Sequence, residues 1–515
     1  MPRVRDDMTD VAPAFDAREL DRLLAGHAFG NSRYITGQLH VCYRRRLERI
    51  SKDLAGARRL NSSLNDCTPY GRYRVIGDTV VRCAVQHALR QLELGTPYGL
   101  PLEQCEEILA DTHLLVARGA YGPLGYKLAS RVCSRPRCPW IWDDQRSEDV
   151  FVRAFRSVVE DNYGGLPCSL TPDELASVRR GVDLLTTLLP LSSKSALSHT
   201  HLLAVFAPTG SWSSRSSSSE YRISGTVFLS RRLLRSPWWI AEYLYHETLH
   251  QQLYDFRQGH SLLEPDFDRD GAPTVCSPWN LPGSNQDNYW DVHRSLAAFH
   301  VYVHLALLAI AAEQRAHELE PIYGKQAGLF RMTTSRTALA RAQYLGEQIR
   351  ERFWDELGIA GKRLMEWFSS VLEVLDPSPP PKGSSIHLLL DRYGREAKEV
   401  EFLLNPNDGP SDLTHQLLGL LQDESDTVRR ILTTLDAESK LQAFNDTIGP
   451  MLDEASALAH ERPGALFASA RGIIFKTILG VSPDGYTLAS TGVPDHLVID
   501  MVEGSSKALT MLLHR

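Results

Sequence analysis

Residues 236–250 constrain the fold most, because they place a His-Glu-x-x-His motif inside a predicted helix. Ser236 is a favourable N-cap and Pro237 suits the first helical position, and no glycine or further proline interrupts the run. His246 and His250 are therefore one turn apart on one face, where two imidazoles can approach one metal ion. The stretch predicts a helix over 237–256 that carries half of a metal site.

The face that carries the two histidines is otherwise apolar. Trp239, Tyr243 and Leu253 fall on the same stripe at helical spacing, while Glu247, about 100° further round, faces an adjacent direction. Buried polar side chains need partners, and a metal ion is the simplest partner for an imidazole pair. The alternative is two core histidines that hydrogen-bond to backbone or carboxylate groups. We favour the metal.

Composition limits the classes of function. A length of 515 residues, at about 150 residues per domain, predicts two to three domains. The net charge of -7 argues against nucleic acid as a partner. The eight cysteines include no Cys-x-x-Cys pair, and the first residues lead into no signal-type apolar core. We therefore expect a cytoplasmic protein with reduced cysteines.

The predicted fold class is α+β, predominantly α-helical. Residues 1–190 form a helical N-terminal region, and 191–376 form the metal-binding catalytic core. A proline-rich linker follows at 377–385, and 386–515 form a C-terminal accessory domain. Within that last region, 472–479 has the composition of a strand.

Two strands are predicted before the motif helix, at 199–206 and 221–229. The connection at 209–220 contains a run of serines, which we interpret as a mobile loop without a role in the site. A strand beside a His-Glu-x-x-His helix is typical of zincin-like folds. Such an edge strand can bind an extended peptide by backbone pairing.

A second helix, predicted over 290–315, also carries histidines. Residues 296–312 are almost wholly apolar but somewhat short for a bilayer, so a buried core helix is favoured over a membrane span. His293, His300 and His304 lie on one stripe of it. The sequence therefore predicts a zincin-like core packed against a second histidine-bearing helix.

These elements together resemble a known family. The His-Glu-x-x-His motif, the following Ser277-Pro278-Trp279 and the helix from Arg294 to His300 are similar to the bacterial HExxH-motif peptide-modification proteins. These are iron-containing, 2-oxoglutarate-dependent peptide β-hydroxylases that modify ribosomally made peptide natural products. The resemblance covers about residues 190–315. It implies oxidoreductase activity on a precursor peptide. From the net charge and the apolar helix we expect no nucleic acid or membrane partner, and a homo-oligomer is left open.

The same resemblance implies a set of ligands. His246 and His250 would bind Fe(II), which needs open positions for 2-oxoglutarate and oxygen. The third ligand would lie on the downstream helix, with His300 as first choice. The alternatives left open are His304, His293, Asp291 and Glu264.

The distal carboxylate of 2-oxoglutarate needs a cation, and a guanidinium binds it bidentately. The resemblance points to Arg294, although a regular helix turns Arg294 about 120° away from His300. Either that helix begins after Arg294, or another arginine such as Arg231 or Arg232 binds the carboxylate. Glu247 would orient a histidine or a water molecule.

A zinc metallopeptidase is the main alternative. It would use the same histidine pair, with Glu264 or Asp291 as third ligand and Glu247 as general base. No Gly-x-x-His follows His250 directly, as it would in a metzincin. A further alternative is a non-catalytic binding protein that contains a metal.

Overall fold

A computed structural model describes most of the chain. The described residues are 16–122, 130–143, 149–213, 215–268, 271–279, 289–326, 332–379, 388–389, 392–394, 396–397, 400, 412–457, 467, 470–471, 473–474, 477 and 495–513. The fold is α+β and predominantly helical with a small mixed sheet, which confirms the predicted fold class.

The helices, in chain order, are α1 (Ala17–Gly26), α2 (Ser32–Ile50), α3 (Ala55–Asp66), α4 (Pro69–Gly77), α5 (Thr79–Leu94), α6 (Leu102–Ala117), α7 (Val150–Tyr163), α8 (Pro172–Leu188), α9 (Ser192–Leu197), α10 (Pro237–Gly259), α11 (Val292–Gln314), α12 (Ala316–Tyr323), α13 (Ser335–Arg352), α14 (Ile359–Leu375), α15 (Asp412–Thr434), α16 (Glu438–Ala457) and α17 (Asp495–Leu513). The strands are β1 (Trp140–Ile141), β2 (Leu202–Phe206), β3 (Ser217–Ser218), β4 (Thr226–Ser230), β5 (Val275–Cys276) and β6 (Tyr289–Trp290).

The chain divides into two compact units. Unit 1 comprises Met1–Phe267, Ala297–Ala338 and Asp355–Pro377, and unit 2 comprises Asp268–Leu296, Leu339–Trp354 and Ser378–Arg515. The predicted N-terminal region 1–190 thus shares a unit with the sheet and with α10. Unit 1 ends at Pro377, where the predicted linker 377–385 begins. The four-segment organisation itself stays a prediction.

The sheet of unit 1 has the order β1-β2-β4-β3. The two predicted strands correspond to β2 and β4, which are parallel neighbours with Leu202 opposite Thr226. Both are buried along their whole length, as is usual for parallel strands covered on two faces. The connection between them contains β3, which pairs antiparallel with β4 at the outer edge of the sheet, with Ser217 opposite Leu229.

The motif helix α10 begins at Pro237, as predicted, and continues to Gly259. Ser236 holds the N-cap position with an extended backbone, but its side chain makes no capping hydrogen bond. α10 packs against α2, α8, α9 and β4, and its core face includes Trp238, Leu244 and Leu249. Of the predicted apolar stripe, Leu253 is buried, whereas Trp239 and Tyr243 are only half-buried.

The second histidine-bearing helix, α11, spans Val292–Gln314. Within the part of the chain that the structure describes, it is the one helix whose length and composition would allow it to cross a membrane. Its most apolar window is 94% buried inside the protein, as in a core helix. His300 and His304 are both buried.

The predicted strand at 472–479 is wrong. Its described residues Ile473, Ile474 and Thr477 are helical, and the Thr477 hydroxyl donates to the carbonyl of Ile473, four residues back. Ile474 is fully buried in the core of unit 2, which α15, α16 and α17 also build. Packing of Ile474 in a helical core outweighs the β propensity of its branched side chain.

Cys133 and Cys138 form a disulfide, so the expectation of reduced cysteines does not hold for this pair. The other six cysteines are free. The pair closes a loop of unit 1 just before β1.

Candidate metal centre

The two motif histidines converge. Their Nε2 atoms are 3.2 Å apart and their ring centroids 4.9 Å apart. Two nitrogens bound to one ion at about 2.0–2.1 Å would lie about 3–3.4 Å from each other, depending on the angle at the metal. His246 and His250 are each half-buried. This geometry matches half of a metal-binding site.

His300, the first choice for third ligand, is fully buried in the same unit. Burial, together with nearby His304 and His250, lowers the pKa of His300 well below its usual range, which keeps the ring neutral. Its Nδ1 atom is buried and has no hydrogen-bond partner among the described residues. A neutral imidazole with an unused buried nitrogen is the form that a metal binds.

His304 differs from its neighbour. Its Nδ1 hydrogen-bonds to the carbonyl oxygen of His300 at 2.8 Å. Burial lowers the pKa of His304 to about 4. Among described side chains, no group of three or more His, Cys, Asp or Glu residues lies close enough to hold a metal. The third ligand therefore stays a prediction.

Glu247 is held by the edge strand. Ser217 Oγ donates to one carboxylate oxygen and Ser219 Oγ to the other, each at 2.5 Å. Side chains two residues apart on an extended chain point to the same side, so both hydroxyls reach α10 together. The interpretation of the serine run as a loop without a role is wrong. The Ser-x-Ser alternation was the signal in the sequence that could have indicated it.

Glu247 is 5% exposed and carries an unusual pKa. Burial raises the pKa of Glu247 to about 7, although the hydrogen bonds from Ser217 and Ser219 and the charge of Arg215 lower it in part. A buried carboxyl beside an imidazole pair can therefore exchange a proton near neutral pH.

This pKa predicts a pH dependence of stability. Glu247 binds its proton more tightly in the folded protein than in the unfolded chain, where its pKa is about 4.3. The resulting stabilisation is complete below pH 4.3 and is lost as the pH rises to about 7. We expect metal-free Glu247→Gln to be more stable than the wild type above pH 7, by on the order of 3 kcal/mol.

Urea denaturation of both proteins between pH 5 and 8 checks this prediction, with chelator present. Gln can keep both serine contacts, so only the titration is removed. A constant difference in unfolding free energy across this range would contradict the raised pKa.

Two carboxylates considered as third ligands have other partners. Glu264 lies 3.8 Å from Lys362 Nζ, and both side chains are partly exposed. Asp291 accepts a hydrogen bond from the backbone N–H of Arg294 at the start of α11. Asp291 and His293 belong to unit 2, whereas the motif histidines belong to unit 1.

The predicted 2-oxoglutarate arginine, Arg294, lies in unit 2. Its guanidinium is 4.7 Å from the ring centroid of Trp290, and α11 begins two residues before it. The alternative in which the helix begins after Arg294 is therefore wrong. Arg231 forms an ion pair with Glu174 at 2.8 Å. The role of Arg294 stays a prediction.

The sequence-based prediction did not include Arg215. This exposed residue precedes the two serines, and its guanidinium lies 5.4 Å from the ring centroid of Tyr163. Its charge acts on the carboxyl of Glu247. It forms no ion pair with any residue that the structure describes. A basic residue within the serine run was the signal.

A buried ionic network fixes the last turns of α10. Both carboxylate oxygens of Asp255 accept from the guanidinium of Arg82, at 2.7 and 3.3 Å, and His199 Nδ1 lies 2.8 Å from Oδ2. Burial by itself raises the pKa of Asp255, but the charge of Arg82 and the contact with His199 outweigh it and lower the pKa to about 2. The network ties α10 to α5 and to the chain before β2.

Comparison with known proteins does not identify the chain. No protein-family model matches it, and no curated protein is significantly similar to it. The resemblance to the HExxH-motif peptide hydroxylases therefore stays a prediction.

Proposed function

We propose that this protein is an iron(II)- and 2-oxoglutarate-dependent peptide β-hydroxylase that acts on a side chain of a ribosomally made precursor peptide. His246, His250 and His300 would hold the metal through neutral imidazole nitrogens. Fe(II) with 2-oxoglutarate would supply oxygen activation, coupled to decarboxylation of the 2-oxo acid.

We favour an oxygenase because of the way in which the Glu247 carboxylate is held. Ser217 and Ser219 each occupy one oxygen of its carboxylate. A peptidase needs this carboxylate to take a proton from water, whereas a hydroxylase needs it only as a supporting group. A carboxylate held from both sides by serine hydroxyls suits the supporting role.

The chain itself provides for a peptide and for the cosubstrate. β3 is one of the two edge strands of the described four-stranded sheet and lies beside α10, so an extended peptide could pair with its outer edge close to the motif helix. Besides Arg294, Arg215 is a second candidate for binding the distal carboxylate of 2-oxoglutarate. Its positive charge lies close enough to Glu247 to lower the pKa of that carboxyl.

A zinc metallopeptidase is the second candidate. The observation in its favour is the pKa of Glu247, about 7 because of burial. A general base is most effective when its pKa lies near the working pH. The same edge strand would then hold the peptide to be cleaved.

One assay separates the two functions. The metal-free protein is loaded with Fe(II) without oxygen, 2-oxoglutarate and oxygen are added, and succinate is measured. We expect succinate at a rate at least about 100-fold above that of His246→Ala. The proposal fails if succinate does not exceed this control, while the protein binds zinc stoichiometrically and cleaves peptides in a reaction that Glu247→Gln abolishes.

A further inference from the structure

A basic cleft of about 700 Å³ lies in unit 1. Positive side chains from four segments line it: α1, the start of α2, the disulfide-closed loop before β1, and α9. These cations are Arg22, Arg33, Arg135, Arg137 and Lys194. The described residues that line the cleft include no aspartate or glutamate.

The cleft is basic although the chain as a whole carries a net negative charge. The chain has 63 acidic and 56 basic residues, yet none of the five cations forms an ion pair with a described residue. Asp21, next to Arg22, is buried, and its oxygens accept from the backbone N–H groups of Leu191 and Ser192. Like charges around one cleft repel each other in the free protein, and an anionic ligand relieves that repulsion.

The loop that carries two of the cations, Arg135 and Arg137, is constrained. A disulfide closes the loop of Arg135 and Arg137, and Cys138 N donates to the carbonyl of Arg135. The Arg137 guanidinium lies 4.9 Å from the ring centroid of Tyr73. The Tyr73 hydroxyl in turn donates to the carbonyl of Ser198. A guanidinium that already stacks on a ring, as that of Arg137 does, loses little freedom when it binds an anion.

The arrangement suits several separate carboxylates better than one phosphate. Helix N-termini bind phosphate through free backbone N–H groups. At the start of α2, however, Arg33 N and Tyr34 N donate to Asn31 Oδ1, and Ser32 N donates to Ser195 Oγ. What remains is a set of spaced cations, and guanidinium groups pair with carboxylates in bidentate fashion.

The cleft also contacts the helix of the candidate metal centre. Gln252, two residues after His250 on α10, donates to Ser195 Oγ in the wall of the cleft at 3.2 Å. A peptide held in the cleft would therefore be anchored on the same unit as the histidine pair.

We propose that this basic cleft binds an acidic segment of the peptide substrate. That the bound peptide is a substrate rests on the proposed function. The charge selectivity of the cleft does not.

The test uses the full-length, metal-free protein and fluorescence anisotropy. The probe is a fluorescein-labelled peptide of alternating glutamate and glycine, compared with a matched glutamine peptide. The variant Arg22→Glu/Arg33→Glu/Lys194→Glu changes only exposed cations of the cleft. Its charge-matched control, Arg45→Glu/Lys52→Glu/Arg118→Glu, changes exposed cations elsewhere in unit 1.

We expect the cleft variant to bind the glutamate peptide at least about tenfold more weakly than the wild type, and the control variant to lose less than about twofold. The glutamine peptide should bind at least about tenfold more weakly, and binding of the glutamate peptide should weaken from about 50 to about 200 mM NaCl. Circular dichroism checks that the variants fold, and the salt dependence and the peptide comparison need no variant.

Equal binding of the two peptides, or equal losses in the two variants, would overturn the proposal. Displacement of the glutamate peptide by inorganic phosphate at low millimolar concentration would indicate a single-anion site instead. Tighter binding of a single-stranded oligonucleotide would indicate a nucleic-acid site. The assay involves neither iron nor turnover, so succinate formation without peptide binding would remove only the cleft assignment.

Discussion

Replacing His250 by alanine is expected to raise the dissociation constant for Fe(II) at least about 100-fold. The physical reason is that the two Nε2 atoms, 3.2 Å apart, would both bind the ion, so the substitution removes one of its protein ligands. Anaerobic titration of the metal-free protein measures this constant. His300→Ala should also weaken binding if His300 is the third ligand.

The matched control is His260→Ala. His260 is the C-cap of the same helix and stacks on Phe256 at 4.2 Å, so its loss removes an imidazole from α10 but not from the pair. We expect its iron affinity to equal that of the wild type. Full affinity in His300→Ala would show that His300 is not a ligand, and His304→Ala would then test its neighbour.

The second large effect concerns stability. Asp255→Ala should lower the free energy of unfolding by about 3–5 kcal/mol, because it leaves the guanidinium of Arg82 buried without its counter-ion. Urea denaturation at pH 7 measures the loss. Because the pKa of Asp255 is lowered to about 2, its contribution is present above about pH 4 and is lost as the pH falls towards 2.

An exposed ion pair provides the control. Glu48 lies 3.5 Å from Arg44 one turn away on α2, and both side chains are more than half exposed. Glu48→Ala should change the unfolding free energy by less than about 1 kcal/mol. A similarly small change in Asp255→Ala would show that the buried network does not hold α10 in place.

Local chemistry made the motif helix predictable. Pro237 sets the start of α10, and the spacing of His246 and His250 sets their convergence, because both depend only on helical geometry. The apolar stripe predicted beside the histidines is only partly buried, because α10 has apolar residues on several faces. Its neighbours α2, α8, α9 and β4 decide which face is buried, and these neighbours come from distant parts of the sequence.

Non-local pairing explains what the sequence did not reveal. Ser217 forms a strand only because it pairs with Leu229, and it contacts Glu247 only because that strand lies beside α10. Arg82 and Asp255 are 173 residues apart, so no local pattern links them. Long-range contacts of this kind follow from the fold rather than from residue spacing.

In the proposed function, the histidine pair holds Fe(II) in a form that binds 2-oxoglutarate. Titration of 2-oxoglutarate into the Fe(II)-loaded protein without oxygen tests it directly, because a 2-oxo acid chelated to Fe(II) produces visible charge-transfer absorption. We predict a band that saturates with the cosubstrate in the wild type and in His260→Ala and is absent in His250→Ala. No band in the wild type, from a protein that retains bound Fe(II), would contradict the claim.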